Sequence, residues 1–260
     1  MKRQSLVYRV CLSALLGILS TSANATLFTG ASGNLAASVD FSISGNTLTV
    51  VLTNTASADV LVPIDVLTAV FFDISGNPTL TSVSALLTSG SSVFYDPQGQ
   101  PAGGNVGGEW EYAVGVSGPS GAGSQGISSS GLGGAFGQPN FNGPDLQNPV
   151  ALNGLQYGIL SAGDNTATGN TGGIKNSGGL IKNSVTFTLT GIAPDAVFSN
   201  VYFQYGTDLK EPGYSGNCVS GNCVPPTTGD SVPEPEAPWL LAVSLLGFYG
   251  YKRKLAVSRF

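Results

Sequence analysis

The sequence predicts an all-β fold: a β-sandwich carrying a long Gly/Ser-rich insertion, followed by a single C-terminal transmembrane helix. Three observations carry this. Residues 35–55 and 180–209 alternate apolar and polar side chains with a period of two, the repeat of a half-buried strand. Of 37 glycines, 23 crowd into residues 96–180, which breaks that alternation into loops. Residues 239–251 form an apolar run closed by Lys252, Arg253 and Lys254.

At the N-terminus, residues 1–25 have the build of a signal peptide. Lys2 and Arg3 precede an apolar run from Val10 to Leu19, and Ala23-Asn24-Ala25 supplies a small-x-small cleavage site. Cleavage after Ala25 would leave a mature chain beginning at Thr26. Cys11 then departs with the leader, leaving Cys218 and Cys223 in the short repeat SGNCVSGNC. An exported close pair is expected to form a local disulfide, with free thiols as the alternative.

The body is expected to span 26–210. The stretches LAASVDFSIS and NTLTVVLTNT predict two strands joined at Gly45-Asn46. VLVPIDVLTAVFFDISGNPTL is rich in Val, Ile and Phe and ends in a Gly-Asn-Pro turn signal. The insertion, about 96–180, reads as long loops with isolated strands in EWEYAVGV and VALNGLQYGILSA. Regular alternation returns in LIKNSVTFTLTGI and AVFSNVYFQYGTDL, expected to pair with the first strands across the insertion. Residues 211–230, dense in Pro, Gly, Ser and Thr, read as a stalk.

Charge and chemistry narrow the function. Residues 26–230 hold three Lys against thirteen Asp and Glu, a formal charge of 3 − 13 = −10, which excludes a nucleic-acid partner. With no His in the chain, Ser-His-Asp and Cys-His catalysis and histidine metal sites are excluded. Two thiolates fill only half a zinc shell. Asp164 in GDNTATGNTGG supplies one carboxylate where a calcium loop needs several, so no metal or cofactor is expected. The sharpest catalytic pair is Glu109 and Glu111, two residues apart on a predicted strand and so about 7 Å apart on one face, a glycosidase-like spacing. The simpler reading makes them the solvent face of a strand whose Trp110, Tyr112 and Val114 enter the core.

The last 30 residues join three parts in order. Val232-Pro233-Glu234-Pro235 is an extended segment, because Pro233, Pro235 and Pro238 interrupt regular structure. The apolar run 239–251 follows, about 20 Å as a helix against a hydrocarbon core of about 30 Å. Lys252, Arg253 and Lys254 then form a membrane stop, with a tail to residue 260. This arrangement resembles the PEP-CTERM sorting domain over 231–260. The hydrophobic LAVSRF after the basic cluster departs from many family tails, which end sooner.

The resemblance implies recognition and cleavage by an exosortase, with Val232, Pro233, Glu234 and Pro235 as substrate residues, in a Gram-negative bacterium that makes exopolysaccharide. The expected function is therefore a non-enzymatic cell-surface or biofilm-matrix protein. It would pass through an inner-membrane-anchored intermediate, with the membrane as partner through helix 239–251. The alternatives are an exopolysaccharide-binding module and a hydrolase using Glu109 and Glu111.

Overall fold

A computed structural model describes residues 24–136, 154–168 and 172–223. The chain divides into two compact units, Met1–Pro225 and Pro226–Phe260, and all described residues lie in the first.

The first five strands are β1 (Asn24–Ser32), β2 (Leu35–Ser44), β3 (Thr47–Asn54), β4 (Leu67–Ile74) and β5 (Thr81–Leu87), with a longer connection, residues 55–66, between β3 and β4. β6 (Ser92–Phe94) precedes the Gly-rich region, which contributes β7 (Glu111–Val114), β8 (Gln125–Ser128), β9 (Ile159–Leu160) and the short helix α1 (Gly172–Lys175). Then come β10 (Leu180–Lys182), β11 (Ser184–Thr190), β12 (Phe198–Tyr205), β13 (Gly213–Ser215) and β14 (Asn217–Ser220).

Two sheets result. The first is ordered β14-β1-β2-β3-β11-β5. The second is ordered β13-β12-β4-β9-β10-β6, with β8 also paired to β4 and β7 to β8. Every pairing is antiparallel except β9 with β10, so the second sheet is mixed. In the first sheet β11 lies between β3 and β5, pairing Val185 with Leu52 on one side and Leu87 on the other.

Local sequence explains the elements. In the β2–β3 hairpin Val39, Phe41, Ile43, Leu48, Val50 and Leu52 alternate inward, and all are buried. Gly45, at φ +61°, takes the first central turn position, which type II′ hairpins reserve for glycine. β4 is nearly continuous in its burial, because Val70 and Phe72 enter the main core while Ala69 and Phe71 pack on the opposite side against Leu132 and Phe136. A strand covered on both faces reads as an apolar run.

The main core lies between the sheets. Phe41 of the first sheet stacks on Phe198 of the second at 4.2 Å between centroids and meets Phe72 edge-on at 5.1 Å. Trp110 packs edge-on against Phe187 at 4.9 Å. A smaller cluster of Val60, Val66, Leu155, Leu160, Ile174 and Leu180 anchors the second half of the Gly-rich region.

These observations correct the expected fold class. The all-β sandwich with a C-terminal transmembrane helix gives way to a sheet-dominated mixed fold, 46% strand and 10% helix among the described residues. Among the described residues no helix is long and apolar enough to cross a membrane. The run 239–251 lies outside the described residues, and its thirteen positions would reach only about 20 Å as a helix. No described helix supplies the membrane partner or the inner-membrane-anchored intermediate expected from that run.

Residues 213–220, inside the expected stalk, are strands: β13 joins the second sheet and β14 the first. Gly216 makes the crossing, where a Cβ would sit 3.0 Å from both Phe203 and Val201.

Because Phe41 touches Phe28, Phe72 and Phe198, Phe41→Ala is expected to cost about 3–5 kcal/mol. The loss should be read as a lower urea midpoint at unchanged slope.

Candidate functional site

Glu109 and Glu111 do not form an open two-carboxylate cleft. Glu109 ends a 3-10 turn, Gly107–Glu109, and is 1% exposed, so the expectation that it lies on a solvent face is corrected. Its neighbour Trp110 enters the core as expected, and so does Tyr112, whose hydroxyl donates to Gln125 Oε1 at 2.8 Å. Val114 is only partly buried against that core. Glu111 opens β7 and is half-buried, with its Oε2 buried and without a hydrogen-bond partner. Burial pushes its pKa up to about 7.

Asp164 has a structural role that its sequence context did not show. Its Oδ1 accepts the Val60 amide at 2.8 Å, while Asp59 Oδ1 accepts the Asn165 amide at 2.9 Å. Each carboxylate thus holds the residue that follows the other, and Thr168 Oγ1 also donates to Asp59. Lys182 Nζ donates to the Asp164 carbonyl at 2.5 Å. Burial raises the Asp164 pKa, with the Asp59 carboxylate adding to the effect. The Thr168 hydroxyl and the Asn165 amide lower that of Asp59. The two carboxyls pin the 161–168 loop to the 56–60 loop, and the Lys182 ammonium ties it to β10. Among the described residues no group of three or more His, Cys, Asp or Glu is placed to hold a metal ion.

A second polar cluster centres on Asp73, on the outer side of β4. Asp73 Oδ1 accepts both the amide and the hydroxyl of Ser124 at 2.7 Å. Its Oδ2 accepts Asn200 Nδ2 at 3.0 Å. Burial opposes the Asp73 charge, but the bonds from Ser124 and Asn200 outweigh it and hold the pKa below the ordinary carboxylate value. Asp73 is the single charge in the apolar run LTAVFFDI, a sequence signal that was available. Asn200, left-handed at φ +53°, gave none.

At the chain ends, Ala25 lies within β1 opposite Ser42, and Thr26 is buried. The Asn222 amide donates to Thr26 Oγ1 at 3.0 Å. Cys218 and Cys223 are joined as a disulfide with Cα atoms 6.4 Å apart, closing the turn that covers Thr26. Ala23 lies outside the described residues, as do Val232, Pro233, Glu234, Pro235, Lys252, Arg253 and Lys254.

No protein-family profile matches the chain, and no curated protein or solved structure matches it.

The raised pKa of Glu111 has a signed consequence. Its folded value lies above the ordinary 4.5, so its contribution to stability is complete below about pH 4.5 and is lost as the pH rises toward 7. Glu111→Gln should therefore stabilise the protein by about 1 kcal/mol near pH 8, after allowance for solvent screening, and leave it unchanged near pH 4. Thermal melts of both proteins across that range check the sign.

Proposed function

We propose that this chain is an exported, non-catalytic protein of the cell surface or biofilm matrix, processed by an exosortase at Val232-Pro233-Glu234-Pro235. The observation that carries this reading is the ordered pair of end signals: a leader ending in Ala23-Asn24-Ala25, and a Pro-Glu-Pro segment followed by apolar and basic residues. Three features of the body support it. The disulfide suits an oxidising compartment. Its acidic, low-charge composition suits a secreted β-protein. The carboxyls of Asp164 and Asp73 hold loops by accepting backbone amides.

Binding of extracellular polysaccharide is the second reading, and one observation favours it. Asp73, Ser124 and Asn200 form a polar cluster beside an open cleft. The described aromatic side chains are all buried or half-buried, so a stacking platform of exposed rings is not among the described residues.

Intact mass and C-terminal peptide mapping of protein from its native producer test the main reading. The expected product begins at Thr26 and ends near Pro233 to Pro235. A product still ending at Phe260 would remove processing from the proposal.

A further inference from the structure

We propose that the cleft beside Asp73 binds a neutral, hydroxyl-rich ligand, a sugar unit of an extracellular polysaccharide. This deepens the second reading above and rests on it. The cleft has a volume of about 320 Å³ and is lined by Asp73, Val116, Ser117, Gly121, Gly123 and Ser124. That is the lower end of the size range of small-molecule sites, roughly 300–1,000 Å³.

The loop that forms it is longer than its connection requires. β7 and β8 are antiparallel neighbours, and a hairpin of this kind needs only about two to five loop residues. Here residues 115–124 intervene. They are nonetheless held in one shape. The Gly115 amide donates to the Ser124 carbonyl at 2.8 Å, closing the base. Ser124 is fixed to Asp73, and Asn200 Nδ2 bridges Asp73 to the Gly121 carbonyl at 3.3 Å. Gly123 lies so close to β4 that a Cβ would come 2.4 Å from the Phe72 amide nitrogen. A long loop pinned this firmly makes a preformed cleft, which lowers the ordering cost of binding.

The chemistry selects the ligand class. An ionised carboxylate offers about four acceptor positions. Three are filled by Ser124 and Asn200, leaving one on Oδ2. No Lys or Arg lines the cleft, so an anionic ligand would meet an uncompensated negative charge. A divalent cation such as calcium wants about six to eight oxygens, and the one carboxylate present is already largely occupied. What remains is a ligand that donates hydrogen bonds and carries no negative charge. Sugar hydroxyls do this, with the Ser117 hydroxyl and loop carbonyls as further partners and Val116 as the apolar contact for the ring.

The test is an amide NMR titration of isotope-labelled protein purified from its producer. The probes are cellotetraose, mannotetraose and maltotetraose at millimolar concentration, with tetragalacturonate as the anionic control. At least one neutral probe should shift amides confined to residues 115–124 and Asn200, and the control should shift none of them. Ser117→Phe, at an exposed lining position that holds no part of the loop together, should weaken that binding at least tenfold while keeping the wild-type melting temperature. Three results would overturn the proposal: no shift with any neutral probe, the same shifts with tetragalacturonate, or unaltered binding in Ser117→Phe. The producer's own exopolysaccharide is titrated in parallel. If it shifts residues elsewhere, the polysaccharide reading stands and this site falls; if it shifts nothing, both fall.

Discussion

The placement of β11 between β3 and β5 is the constraint on which the rest of the structure depends. β5 and β11 are neighbours in the first sheet, yet the whole Gly-rich region lies between them in sequence. Once β11 pairs on both sides, that region must leave and return to the same edge. The strands β6 to β10 all join the second sheet, while an isolated bridge ties Asn105 to Leu86 at the outer edge of β5. Closing so long a loop costs conformational entropy that grows only slowly with length. The burial of Val185, Phe187 and Leu189, each 0% exposed, offsets it.

The same constraint explains why the second sheet is covered on its outer side. Leaving β5 and returning to β11, the chain lays the 111–136 stretch over Ala69 and Phe71 of β4. Polar side chains then do what hydrophobic packing cannot do for glycine-rich backbone. Asp73 fixes one loop, and the Asp59–Asp164 pair fixes another. A glycine loop lacks side chains to bury, so its amides and carbonyls are what hold it. Carboxylates suit that task because each can accept several backbone donors at once.

Several elements were legible in the sequence because their information is local. The hairpin of β2 and β3 follows from strict alternation and a Gly-Asn turn, and both are present in twenty consecutive residues. The strands β11 and β12 and the core positions of Trp110 and Tyr112 follow in the same way. The burial of Glu109 is not legible locally, for an equally physical reason. A period-two pattern places it beside Glu111, but a 3-10 turn ends there and its burial depends on residues far away in sequence. The stretch 213–220 resembles a stalk in sequence because Gly, Ser and Cys carry no strand signal alone. Their pairing is supplied by β12 and β1.

The sequence by itself determined that the chain lacks histidine chemistry, has an acidic body, builds from strands, and carries a Pro-Glu-Pro segment at 233–235. Composition, alternation and short motifs are properties of neighbouring residues, so they need no fold to be read. Only the tertiary structure decided that Asp59 meets the loop of Asp164 and that Asp73 gathers Ser124 and Asn200. It alone showed that Glu109 is sealed from water and that the disulfide turn closes over Thr26. Those juxtapositions join residues tens to hundreds of positions apart, and nothing in a linear pattern specifies which distant loops the sheets will bring together.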